Sequence, residues 1–217
     1  YGKTSYKGWN DMTEYKKIAG TTYAYSFEGE GEDCIPLVLL HGFTGTQHTW
    51  NDLIMRISHR YRIMTIDLPG HGKTVAKHKV TMDQFVQDLY ELTRSVQFDT
   101  FHLLGYSLGG RTALSYAMHY PETIRSLILE SASPGLQSEE ERLKRMAADK
   151  KIAEMIIEKG IKSFVAYWEN IPIFDTQKRL EQNVKNNILN ERMSQSAIGL
   201  AQSLLGMGTG AQTSWWE

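Results

Sequence analysis

Cysteine is almost absent from this 217-residue chain. The single Cys34 excludes an internal disulfide and any site held by several cysteines. An excess of either charge is lacking as well: 24 Lys and Arg stand against 25 Asp and Glu, a formal net charge of -1. That balance argues against a nucleic-acid binder, which needs a basic surface to neutralise phosphates, so no nucleic-acid partner is expected. Long apolar runs are missing too. The longest, Cys34–Leu40, has 7 residues, where a membrane-spanning helix needs about 20. No charged-then-apolar leader opens the sequence, and no secretory signal is read. A reducing, cytoplasmic setting is the expectation.

What is present is an ordinary globular composition, 41% hydrophobic and 23% charged, enough for one large domain or two small ones. Residues 1–20 are polar, with Gly2, Gly8 and Gly20 and no periodicity, and read as an extension without a role. Residue 1 is Tyr, whereas Met12 opens a more natural start, and Ser214–Glu217 stops without a tapering tail. Both ends lead us to expect a piece of a longer protein.

From Thr21 the residues predict alternating strands and helices. Thr21–Phe27 is β-branched and aromatic, a first strand, followed by a Gly-rich turn at 29–31. Leu37–Leu40 is a short continuous apolar run, as in a strand covered on both faces. The loop His41–Gly45 leads into a helix around Thr49–Ser58, then a strand at Tyr61–Ile66 and the turn Asp67–Gly72. Thr81–Val96 carries Phe85, Val86, Leu89 and Leu92 at helical spacing. A strand at Phe101–Leu104, a helix at Leu108–Tyr120 and a strand at Ser126–Leu129 complete a core over 21–131. The alternation means a mostly parallel α/β sheet. Ser138 and Glu141 then form a capping box, and only helices are read from 138 to 205. That block predicts a helical lid over 132–192, with a return to the core over 193–217.

Gly105-Tyr-Ser-Leu-Gly109 fits the pattern G-x-S-x-G between the strand at Phe101–Leu104 and the next helix. A serine on such a turn is held in strained backbone with its hydroxyl raised above the sheet, which makes Ser107 the candidate nucleophile. The glycines are needed because side chains there would collide with neighbouring strand and helix. A Gly-rich turn that merely joins strand to helix is the bland alternative. Arg111 sits in the first helical turn beyond the elbow, where the helix dipole disfavours a cation. An anion held nearby would explain it: either a neighbouring Asp or Glu, or, as we prefer, a substrate carboxylate gripped in bidentate fashion. Tyr106 either lines a pocket beside the nucleophile or packs.

At these residues the chain resembles the α/β-hydrolase family. The resemblance implies an oxyanion hole made of the backbone N–H groups of Leu108 and, from the loop after an earlier strand, Phe43. His41 is read as a buttress of that loop, and the glycines of Asp67–Gly72 as turn-makers. A narrower likeness is carried by Gly105–Arg111, Glu130–Leu136, Glu140–Arg145, Ala166–Trp168, Arg192–Ser196 and Gly206–Gly210. These are similar to the 2-succinyl-6-hydroxy-2,4-cyclohexadiene-1-carboxylate synthases of menaquinone biosynthesis. That resemblance implies a lyase that eliminates pyruvate from a small-molecule tricarboxylate with neither cofactor nor metal. It also implies that Arg111, Arg145 and Arg192 hold substrate carboxylates and that Trp168 lines the pocket. Periodicity alone does not choose Arg145 over Arg142 or Lys144, and Trp168 reads equally as lid core.

The family orders its triad Ser, then Asp or Glu, then His along the chain. Of the seven histidines only His119 follows Ser107, on the helix directly after the elbow and pointing away from it. Asp149 and Asp175 fall inside the lid and are poor candidates for the acid. The triad Asp and His, and the last strands of the sheet, are therefore expected to lie outside this chain. Residues 1–217 alone are then expected neither to turn over nor to fold well. Two other functions remain on the same scaffold: a serine hydrolase of esters or C–C bonds, and a catalytically dead binding protein.

Overall fold

The computed structural model describes residues 12–29 and 34–216. Residues 1–11, and most of the turn expected at 29–31, lie outside them. The described strands are β1 (Glu14–Ile18), β2 (Thr21–Glu28), β3 (Ile35–Leu40), β4 (Tyr61–Ile66), β5 (Val75–Ala76), β6 (Phe101–Tyr106) and β7 (Ile124–Glu130). The helices are α1 (Asn51–Ile57), α2 (Met82–Ser95), α3 (Leu108–His119), α4 (Glu139–Trp168), α5 (Gln182–Met193) and α6 (Ala197–Met207). The sheet runs β1-β2-β4-β3-β6-β7, with β5 beside β2. Pairs β3–β4, β3–β6 and β6–β7 are parallel, while β2 runs antiparallel to its neighbours β1, β4 and β5.

β3 shows why a continuous apolar run marks the centre of such a sheet. Leu37 and Leu39 face Trp50, Ile54 and Ile63 on one side; Val38 and Leu40 join Met64, Phe85, Val86 and Leu89 on the other. Successive side chains point to opposite faces, and both faces are covered. α2 lays its apolar stripe on that second face, and Thr81 caps its start by accepting the Gln84 N–H. Asp88 on α2 is buried yet satisfied: Tyr23 Oη donates to it at 2.5 Å and Gln84 Nε2 at 2.8 Å.

The polar extension expected over 1–20 needs correction at its C-terminal end. Glu14–Ile18 is an edge strand paired with β2, in register from Glu14↔Tyr25 to Ile18↔Thr21. Ala19 and Gly20 both have positive φ, 45° and 90°, as a two-residue hairpin matched to strand twist requires. The strand reads as polar because only Ile18 is buried, and its two lysines suit an exposed edge.

Beyond β7 the described chain is helical up to Met207, apart from short connections. α4 begins at the capping box of Ser138 and Glu141 and is interrupted at Gly160, whose φ of 73° no helix contains. Its Ala153, Ile156, Phe164 and Val165 pack against Leu200, Ala201 and Leu204 of α6. α6 in turn lies so close to the Asp67–Gly72 turn that a Cβ on Gly199 would strike the backbone of Gly70. The helical layer therefore rests on the loops at the carboxyl ends of β3 and β4. Among the described residues no helix is long and apolar enough to cross a membrane.

Candidate active site

Ser107 stands between β6 and α3 with φ 52° and ψ −110°. A non-glycine residue there costs about 1–3 kcal/mol and persists only when its surroundings enforce it. They do. The Ser107 N–H donates to Glu130 O on β7 at 2.9 Å, and the Arg111 N–H donates to Ser107 O at 2.9 Å as α3 begins. A Cβ on Gly105 would run into the backbone of Gly109, and one on Gly109 into the carbonyl of Leu40. The tight turn thus exists only with glycine at both places. The Ser107 side chain makes no capping bond to α3, so its hydroxyl is not spent on the helix end.

The loop after β3 aims the second expected donor. Leu68 N–H donates to His41 Nε2 at 3.0 Å, so the proton of the neutral ring sits on Nδ1, which contacts Gly42 O at 2.8 Å. Gly45 N–H donates to the same oxygen at 3.0 Å. In a trans peptide C=O and N–H point in opposite directions. With the Gly42 carbonyl held by His41 and Gly45, the Phe43 N–H is turned to the other side. Burial lowers the His41 pKa to about 4, which keeps the ring neutral.

Asp67 was not visible as a structural residue in the sequence. Its carboxylate is buried and accepts Gln47 N–H at 2.7 Å and Lys73 N–H at 2.8 Å, tying the two loops together. Burial pushes its pKa up, against the pull of those two donors. The glycines of the turn do make it, with Gly70 at φ 81° and Gly72 at φ 51°. His71 lies beside His41, ring centroids 5.2 Å apart, and burial lowers its pKa to about 3.

The arginines are each engaged by the protein. Arg111 Nη1 donates to Met207 O at 2.9 Å and to Gln212 Oε1 at 2.6 Å. Its guanidinium pKa falls to about 10, first through burial and then through Arg145, with Asp149 opposing. The neighbouring anion that the sequence left open is thus present in Asp149, near Arg111 without bonding to it. Arg145 Nε donates to the buried Asp149 at 2.8 Å. Arg192 is buried, reaching Glu169 at 3.3 Å and Gln177 at 3.0 Å, with its guanidinium 4.7 Å from the Phe174 ring centroid. It walls a cavity of about 310 Å³ beside α5 that neither Ser107 nor Arg111 lines. The structure therefore brings Arg111 and Arg145 together, whereas Arg192 stands at the end of α5 among Glu169, Phe174 and Gln177.

Trp168, the last residue of α4, meets Phe43, ring centroids 5.3 Å apart, and also contacts Phe164 and Phe174. Tyr106 packs its ring on Gly42, where a Cβ would lie 2.8 Å from Cδ1. It also lies near Arg192. Around Phe43 two buried polar atoms, Trp168 Nε1 and His71 Nε2, find no protein partner. Among the described residues none of the seven histidines hydrogen-bonds Ser107. His119 instead contacts Ser115 O at 2.8 Å and Trp215 edge-on.

A mixed, mostly parallel sheet with this elbow, this loop and a helical cover defines an α/β-hydrolase fold, and the chain belongs to that family, whose model matches residues 35–215. Within the family it is 42% identical over 201 residues to a Bacillus subtilis protein that carries the 2-succinyl-6-hydroxy-2,4-cyclohexadiene-1-carboxylate synthase name provisionally. The match covers 91% of this chain and 73% of that protein. The synthase of that name from an Enterobacter species is 33% identical over 147 residues, 68% of this chain and 57% of the relative. Among solved structures, MenH from S. aureus superposes with a TM-score of 0.84 at 35% identity, covering 88% of this chain and 73% of that one.

Proposed function

We propose that this chain forms most of a lyase that converts 2-succinyl-5-enolpyruvyl-6-hydroxy-3-cyclohexene-1-carboxylate to 2-succinyl-6-hydroxy-2,4-cyclohexadiene-1-carboxylate in menaquinone biosynthesis. The observation that carries the reading is the elbow with a half-buried guanidinium one turn beyond it. A serine hydrolase with an apolar acyl pocket has no use for Arg111 at that place, nor for Arg145 beside it. The likeness to proteins of the synthase name supports the same choice. The unpartnered Trp168 Nε1 and His71 Nε2 also suit a polar ligand over Phe43.

The chemistry follows from the two ring systems. Ser107, deprotonated by a base supplied from beyond residue 217, removes the ring proton α to the succinyl carbonyl. The electron pair forms one ring double bond, the existing one shifts, and the C–O bond to the enolpyruvyl group breaks. The enolate of pyruvate leaves and takes up a proton to become pyruvate, so no water is consumed. The Phe43 and Leu108 N–H groups hold the charge that develops on the carbonyl oxygen; such preorganised donors are usually the largest electrostatic contribution. Arg111, Arg145 and Arg192 fix the carboxylates, and Tyr106 and Trp168 border the pocket. Incubating the product of the full reading frame with the tricarboxylate should release pyruvate stoichiometrically. Efficient cleavage of simple aryl esters with no action on the tricarboxylate would transfer the assignment to a hydrolase.

A further inference from the structure

Two residues at and just beyond the C-terminus of α5 grip the loop that carries the Phe43 N–H. Glu191, on the last turn of α5, places one carboxylate oxygen against three donors: Thr46 N–H at 2.9 Å, Thr46 Oγ1 at 2.6 Å and Thr49 Oγ1 at 3.0 Å. Gln195, two residues past the helix and 5% exposed, donates through Nε2 to Thr44 O at 3.3 Å and Gly45 O at 3.2 Å. Its Oε1 accepts Gly72 N–H at 3.1 Å, so one side chain bridges both loops. We propose that Glu191 and Gln195 are positioning residues that make the oxyanion donor depend on the seated lid.

The physical case begins at Thr44, directly after Phe43, with φ 71°. A β-branched residue in the left-handed region is strained and relaxes unless something holds it. Gln195 holds its carbonyl, and Glu191 holds the turn that follows. Bonds to a carboxylate are the stronger kind, roughly twice a neutral pair. From the other side His41 and Gly45 fix Gly42 O. The Phe43 peptide is therefore set between an internal buttress and a clamp lent by the lid. Arg192 lies between the two clamp residues in sequence and faces the lid interior.

This inference rests on the proposed role of Phe43, and the test separates the two. The product of the full reading frame is assayed for pyruvate release and for labelling of Ser107 by a fluorophosphonate, which forms an Oγ–P bond and expels fluoride whatever the natural substrate. Gln195→Ala and Glu191→Ala should lower kcat and the labelling rate by about 10–100-fold, since misplaced oxyanion donors cost that order. KM should stay within about threefold, because ground-state binding is untouched. Glu191→Gln, which keeps an acceptor oxygen, should restore most of the rate and serves as the folded control. A raised KM at unchanged kcat, unaltered labelling in both alanine variants, or failure of Glu191→Gln to rescue would overturn the clamp. If the unmutated protein neither released pyruvate nor took the label, the site reading would fall and the clamp with it.

Discussion

Lowering the pH should destabilise this fold through two histidines at the loops that frame the site. His41 and His71 are buried, and burial lowers their pKa from 6.5 to about 4 and about 3. In the unfolded chain both bind a proton below 6.5, whereas the folded protein keeps them neutral down to the lower values. Stability is therefore constant above about pH 6.5 and falls as pH drops through that window. At pH 5, 1.5 units below the free value, each histidine removes about 2 kcal/mol, and the pair about 4. That is a large share of the roughly 5–15 kcal/mol a domain possesses. Asp67 acts in the opposite sense, since its raised pKa gives the folded state extra affinity for protons, but only nearer the carboxylate range. Urea unfolding of the full reading frame at pH 7.5, 6 and 5 measures the slope directly. His71→Phe, which removes one titration, should about halve it. Equal stability at pH 7.5 and 5, or a slope unaffected by His71→Phe, would refute the assignment of neutral buried rings.

Arg111→Ala should weaken tricarboxylate turnover by roughly 2–5 kcal/mol in kcat/KM if the guanidinium meets a desolvated carboxylate, and steady-state pyruvate release at the normal rate would show that it merely braces Gln212 and Met207. Residues 1–217 expressed alone should aggregate on a sizing column and lack turnover. β7 is an edge strand among the described residues, with Ile128 49% and Leu129 40% exposed, and such apolar edges recruit other chains. A soluble monomer within about tenfold of the full reading frame's rate would place the base among these residues, since oxyanion donors alone leave only residual catalysis.

The legible parts of this molecule are those whose signal is local. Leu37–Leu40 announces a central strand because sheet burial demands an unbroken apolar run, and Gly105–Gly109 announces an elbow because only glycines fit its turn. β1 escaped notice because an edge strand needs no apolar alternation; its hairpin at Ala19-Gly20 was the available clue. Asp67, Glu191 and Gln195 carry no local signal at all. Their partners are chosen by the fold: Glu191 meets Thr46 145 positions away, and Gln195 meets Gly72 at 123. Arg111 was visible as a cation set against a helix dipole, yet the partners that hold it, Met207 and Gln212, come from the far end of the chain.

The central claim is that Ser107, raised on a strained turn and facing two backbone donors, drives loss of pyruvate from a tricarboxylate. Pyruvate release from that substrate by the full reading frame, with and without Ser107→Ala, tests it most directly. The account predicts turnover by the parent and a fall of about three orders of magnitude or more in the variant, with circular dichroism unchanged. A Ser107→Ala protein that released pyruvate at the parental rate would contradict it.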